Sequence, residues 1–222
     1  MQSPDDMLFH MRADFGGTYV WTDEKLEKLD GKVSESIQSL VYPYWHPSGD
    51  YVAFSTNKTN QMFHMKDKNR IEVFDSASDV LVYDVKNHRV LTDSLLFSKD
   101  AFETFPSFSP DGKTLYFSTS MAQQMPKDYK SVKYSLCSIS FDAQQGRFGN
   151  QVDTLYSAEK TGKTAAFPRV SPDGRFLAFA QADYGNFLIW HKEADLYLID
   201  LKDGQVKELP EVNSVEAESY HA

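Results

Sequence analysis

Apolar and polar side chains along this chain alternate with a period of two, the periodicity of β-strands, in three stretches that resemble one another. Val52 and Phe54, Leu115 and Phe117, and Leu177 and Phe179 fall on one face of their strands, with Ala53, Tyr116 and Ala178 on the other. Both faces are apolar or aromatic, so each strand is expected to be covered from two sides, as when small sheets stack. Before each run stands a tight turn: His46-Pro47-Ser48-Gly49, Ser109-Pro110-Asp111-Gly112 and Ser171-Pro172-Asp173-Gly174. Proline presets φ, the Ser or Asp side chain can bond nearby backbone, and glycine accepts positive φ without steric cost. This chemistry predicts a hairpin between a first and a second strand. A third run follows at 80–85, 136–141 and 196–201, then a polar turn and a weaker fourth run near 90–96, 152–156 and 206–209. Helical periodicity is nearly absent. Segment 22–29 fits a connection from third to fourth strand better than a helical turn.

The turn prolines Pro47, Pro110 and Pro172 stand 63 and 62 residues apart, a fixed period that marks a repeat architecture. Four antiparallel strands per repeat predict an all-β protein made of β-propeller blades. The repeats run over 1–30 (partial), 38–96, 101–157 and 163–210, and 218–222 reads as the start of a further blade. About three and three-quarter blades are therefore expected in one domain spanning 1–222. The stub around Tyr220 and His221 is too short to make a good closing strand with residues 7–11. The chain is expected to be a segment of a larger propeller rather than a closed four-bladed ring.

Composition narrows the function. A net charge of −9 argues against a nucleic-acid partner, whose phosphates need a basic face. The acid is dispersed except at 211–218, which reads as a solvated loop. Cys137 is the single cysteine and sits in a third strand, where it reads as a small buried hydrophobe. No apolar run is long enough to span a membrane, and no signal peptide is visible.

The runs Pro106-Ser107-Phe108-Ser109-Pro110-Asp111-Gly112 and Pro168-Arg169-Val170-Ser171-Pro172-Asp173-Gly174 resemble the repeat of TolB-like β-propellers, also called WD40-like or PD40 repeats. The copy at 42–54 departs from that repeat by His46 for serine and Ser48 for aspartate. Such repeats occur in the periplasmic TolB protein, in propellers that precede serine peptidase domains, and in long secreted proteins of Bacteroidetes-type bacteria. Met7-Leu8-Phe9-His10 and the long aromatic-rich blades look most like the last group. The resemblance implies a periplasmic or otherwise exported protein. Some members of that group carry a Cys-x-x-Cys-His haem motif upstream of the propeller, which this chain lacks.

Candidate chemistry is sparse. Gly162-Lys163-Thr164 lacks the first glycine of a phosphate-binding loop and leads into a strand. Gln61-Met62-Phe63-His64-Met65 offers soft ligands, yet no second histidine or cysteine cluster lies near it in sequence, so no metal and no cofactor are expected. His46 is expected to bond turn backbone, and Asp111 and Asp173 belong to their turns. No nucleophile elbow, zinc helix or calcium loop is visible, so no catalytic residue is assigned. The connections between second and third strands are long, at 56–78, 119–133 and 181–194. They place Phe63, His64, Tyr184, Trp190 and His191 on one rim, where binding usually resides. Tyr44, Ser107 and Arg169, each just after the first-strand proline, are expected to approach the central channel. The expectation is a non-catalytic scaffold that binds a protein or an envelope polymer. The alternative is the propeller portion of a larger peptidase or other hydrolase. A lyase or lactonase with a metal in its channel would need histidines or carboxylates on the first strands, which supply few.

Overall fold

The computed structural model describes three N-terminal strands and residues 40–219. The N-terminal strands are Phe9–Met11 (β1), Thr18–Thr22 (β2) and Lys25–Lys28 (β3), an antiparallel three-stranded sheet in chain order. Three four-stranded antiparallel sheets follow, again with strands in chain order. Blade 1 is Leu40–Trp45 (β4), Tyr51–Phe63 (β5), Ile71–Asp84 (β6) and Arg89–Leu91 (β7). Blade 2 is Ala101–Phe108 (β8), Thr114–Met121 (β9), Ser135–Asp142 (β10) and Arg147–Tyr156 (β11). Blade 3 is Thr164–Val170 (β12), Phe176–Ala182 (β13), Asp195–Asp200 (β14) and Val206–Glu208 (β15). Ala158–Thr161 (α1) is a single helical turn, capped by the Ser157 side chain and closed by Gly162 in the left-handed region. The segment Gly162-Lys163-Thr164 thus ends a helix and enters a strand, the reverse of a phosphate loop.

The three turns are built alike. Gly49, Gly112 and Gly174 donate their backbone N–H to His46, Ser109 and Ser171 at 2.9, 2.9 and 2.8 Å, with φ of 78°, 71° and 74°. In blades 2 and 3 the aspartate accepts from the serine hydroxyl, Ser109 to Asp111 at 2.6 Å and Ser171 to Asp173 at 2.5 Å. In blade 1 the histidine takes over: the Ser48 N–H donates to its Nδ1 at 3.1 Å. The His46 ring is long enough to reach the neighbouring turn, where Nε2 lies 3.0 Å from the Gly112 carbonyl.

Each first strand carries the same irregularity. Its register with the second strand shifts between Val41 and Tyr44, Thr104 and Ser107, and Ala166 and Arg169. The aromatic residue before the proline adopts a left-handed conformation, with φ of 52° at Tyr42, 54° at Phe105 and 58° at Phe167. For bulky side chains that is a strained state. The three rings pack against one another from blade to blade, edge-on between Tyr42 and Phe105 (centroids 4.6 Å apart) and tilted between Phe105 and Phe167 (4.2 Å). β8 touches both β4 and β12, so the inner strands of the three blades meet.

The two-faced strands pack as the alternation predicts. Val52 and Phe54 join Leu40, Trp45, Leu81 and Tyr83 on one side of blade 1. Ala53, Val80 and Val82 face blade 2, against Leu115, Phe117, Cys137 and Ile139. Cys137 is buried in that layer, and burial pushes its thiol up.

Two expectations need correction. The segment 56–78 is not a loop: β5 and β6 run on past the blade as a long hairpin, paired from Thr59↔Asp75 to Phe63↔Ile71. Only about seven residues of turn separate them, because the polar strand Thr59-Asn60-Gln61 finds its partners across the ladder rather than in a core. The fourth strand of blade 1 is shorter than 90–96, stopping at Leu91, whereas that of blade 2 starts earlier, at Arg147. Residues 7, 8, 220, 221 and 222, on which the closure question turns, lie outside the described residues.

Candidate functional site

The β5–β6 hairpin crosses over blades 2 and 3 and is fastened to both by polar side chains. Glu72, on β6, is 2 % exposed and lies at the centre. The Tyr184 hydroxyl of blade 3 donates to Glu72 Oε1 at 2.5 Å, and His191 Nε2 lies 3.3 Å from Glu72 Oε2. His64, from the hairpin turn, approaches Glu72 at 3.9 Å and stacks on Tyr129 of blade 2. Around this centre, Asn69 donates to the Tyr184 hydroxyl at 3.4 Å, Lys130 donates to Asp67 at 2.7 Å, and Lys68 pairs with Glu193 at 3.0 Å. Three residues further along β6, Asp75 accepts from Asn57 (2.7 Å), Thr59 (2.6 Å) and, from blade 3, Asn186 (2.5 Å).

The electrostatics follow from this packing. Burial alone would lower the His191 imidazolium, but the flanking Glu193 and Glu72 carboxylates prevail and raise it to about 9. Glu193 is opposed by its own burial, yet His191 and Lys68 bring it down to about 2. Burial raises Asp75 despite its three donors, and it pushes Tyr184 well up, assisted by the bond to Glu72. Below the hairpin, Glu103 of β8 is buried beside Asp79. Burial first and the Asp79 charge second raise its carboxyl to about 8.

The solved structures most usefully compared with this chain belong to peptidases. It is similar to a puromycin-hydrolyzing peptidase of Mycobacterium tuberculosis, with 15 % identity and a TM-score of 0.56 over 94 % of this chain and 30 % of that one. It is similar to a structure from a study of two prolyl endopeptidases, with 13 % identity and a TM-score of 0.57 over 91 % and 27 %. Prolyl oligopeptidase B from Galerina marginata gives 14 % identity and a TM-score of 0.50 over 94 % and 28 %. The fold is a β-propeller. At these identities the likeness reaches no further than fold, and the chain spans less than a third of each of these proteins. No protein-family model matches the chain, and no curated protein does.

Within the propeller, the rim residues expected from sequence separate into two groups. His64, Tyr184 and His191 come together around Glu72, and His191 is 1 % exposed in all. Tyr184 is buried too, so these side chains fasten the rim. Phe63 and Trp190, their chain neighbours, stay outside at 71 % and 47 % exposure, joined by Met65 at 88 %. Of the residues expected at the channel, Arg169 of blade 3 lays its guanidinium 5.1 Å from the Tyr44 ring of blade 1, while Ser107 is fully buried. Among the described residues no group of three or more His, Cys, Asp or Glu is arranged to hold a metal, and no helix is long and apolar enough to cross a membrane.

Glu72, Asn69, Asp75 and Asn186 were missed in the sequence because their partners lie up to 123 residues away. One local signal existed: Ile71 and Val73 alternate with Glu72 and Phe74, a strand pattern inside the supposed loop.

Proposed function

We propose that this chain is a non-catalytic, TolB-like propeller segment of an exported bacterial protein, and that it holds a polypeptide partner on the rim built around the β5–β6 hairpin. One observation carries the reading, an inversion of the usual burial at that rim. Glu72, His191, Tyr184 and Asn69 are inside, while Phe63, Met65 and Trp190 stand in water. Large apolar side chains held out by a pinned scaffold supply contact area at low entropic cost, the makings of a binding hot spot. The titratable groups beneath them are engaged with one another: Tyr184 donates to Glu72, and His191 faces a carboxylate at each ring nitrogen. That internal pairing supports a structural use of these groups rather than a nucleophile and base.

Selecting a random peptide library on the immobilised protein tests the reading. Enriched peptides should bind at least about ten-fold more weakly to Trp190→Ala and to Phe63→Ser, with Tm within about 2 °C of the parent for Phe63→Ser, which is largely exposed, and within about 4 °C for Trp190→Ala, which is about half exposed. Failure to enrich any peptide, or a large fall in Tm for Trp190→Ala, would reject it.

A second reading, the propeller portion of a larger hydrolase, is supported by the peptidase structures that share the fold and by the small share of each that the chain spans. A Ser/His/Asp-bearing domain encoded beside this segment, with peptide hydrolysis altered when the propeller is deleted, is the result that would favour it.

A further inference from the structure

The tip of the β5–β6 hairpin is a fixed turn. His64 N–H donates to the Arg70 carbonyl at 2.9 Å and closes it, and inside it the Asn69 N–H donates to Asp67 Oδ1 at 3.2 Å. Both of those polar residues are tied to other blades. Asn69, 1 % exposed, donates to Tyr184 and accepts from the Lys192 N–H at 3.4 Å, while Asp67 holds Lys130 of blade 2. On this turn the Arg70 guanidinium donates through Nη1 to the Met65 carbonyl. That bond sets a planar cation on the turn that carries Phe63 and Met65 into water. A guanidinium has more donors than the one bond uses, in a fork that fits a carboxylate.

Charge narrows the partner. The acids around the tip are engaged within the rim: Asp67 with Lys130, Glu193 with Lys68, Asp183 with Lys163 and Lys68, and Glu216 with Lys192. Lys66 and Arg70 are exposed, and Phe63 and Met65 stand beside them in the same turn. A cationic and apolar spot is thus held out by a chain whose net charge is −9. It fits a partner that carries a carboxylate next to an apolar side chain. An extended anionic membrane would meet the negative field of the whole molecule. A short segment meets only the local one, since charges further off than about 8 Å are screened at physiological ionic strength. An acidic polysaccharide would bring the charge without an apolar side chain for Phe63 and Met65.

Resting on the polypeptide-binding reading above, we propose that Arg70 reads an Asp or Glu side chain of the partner polypeptide. The carboxylate takes the guanidinium fork, Lys66 adds positive charge beside it, and the adjoining apolar side chain of the partner packs on Phe63 and Met65.

The peptide most enriched by library selection on the immobilised protein is the probe. It is synthesised with a fluorescein label and an amidated C-terminus, and again with every Asp and Glu replaced by Asn and Gln. Polarisation titrations of both against wild type, Arg70→Gln and Arg70→Lys form a cycle. The acidic peptide should bind Arg70→Gln about ten-fold more weakly than wild type, and Arg70→Lys, which keeps the charge without the fork, should also lose affinity. The amide peptide should bind wild type about ten-fold more weakly than the acidic one, and should not distinguish wild type from Arg70→Gln. Equal losses for the two peptides on Arg70→Gln would mean that Arg70 only supports the turn, and would overturn the proposal. Enriched peptides without Asp or Glu would overturn it too, and if they still need Trp190 and Phe63 the rim reading stands alone. Failure to enrich any peptide rejects both. Vesicles of phosphatidylcholine and phosphatidylglycerol test for a lipid surface. Vesicle binding that is lost in Arg70→Gln, and with which the acidic peptide does not compete, would assign the spot to a membrane and overturn the proposal.

Discussion

Replacing His191 with glutamine isolates the electrostatic fastening of the hairpin. In the folded chain the imidazolium is held near 9, against an ordinary value of 6.5, because Glu72 and Glu193 flank it in a place where it is 1 % exposed. A folded value above the unfolded one means that the native state binds the proton more tightly. The stabilisation is therefore complete below about pH 6.5 and disappears as pH rises through about 9. The difference corresponds to about 3 kcal/mol. The depressed Glu193 is the same interaction seen from its other end, and the two are not added. Glutamine keeps much of the volume and can still donate to Glu72, but it does not titrate. Urea unfolding followed by tryptophan fluorescence at pH 6 and pH 9.5 gives the comparison. Wild type should lose about 3 kcal/mol more than His191→Gln over that interval, and groups elsewhere in the protein cancel in the difference. Parallel pH profiles, or a wild type that gains stability relative to the variant with rising pH, would refute the placement of a charged imidazole between the two carboxylates.

Glu103→Gln should act in the same pH direction through the opposite charge type. Its carboxyl is raised to about 8, so the native state favours the protonated acid, and stability falls as pH climbs from the ordinary carboxylate range through 8. The amide should match wild type near pH 4 and exceed it at pH 9 by on the order of 5 kcal/mol, with denaturant midpoints as the measure. Gly112→Ala and Gly174→Ala share a positive φ, and each should lose about 1 kcal/mol for that reason alone. A Cβ at 112 would also fall 2.2 Å from His46 Nε2, whereas one at 174 meets nothing within 4 Å. Gly112→Ala should thus cost at least about 2 kcal/mol more, and equal losses would mean that the His46 ring does not lie against Gly112.

The propeller was legible because its signals are local: proline, then Ser or Asp, then glycine, at a spacing that repeats, followed by strict alternation. His46 could be assigned to backbone bonding for the same reason, although its reach to Gly112 depends on how two blades abut. The hairpin was not legible as strand, since Asn57-Lys58-Thr59-Asn60-Gln61 has the composition of a loop and gains its pairing from a more apolar partner strand that includes Val73 and Phe74. The rim residues were chosen for their chemistry and for the connections that carry them. Which of them would be buried depended on Glu72, whose contacts come from three separate parts of the chain. Nor does sequence announce the left-handed aromatics, because a residue before proline ordinarily prefers the extended region.

Those aromatics bear on how the molecule comes apart. Tyr42, Phe105 and Phe167 each hold a backbone state that costs of order 1–3 kcal/mol in isolation, and each is braced by the ring of an adjoining blade. A blade that loses its neighbour keeps the strain and loses the brace. The coupling between repeats is thereby strengthened at the expense of each repeat's own stability, the condition under which a nearest-neighbour array melts as one cooperative unit instead of fraying repeat by repeat.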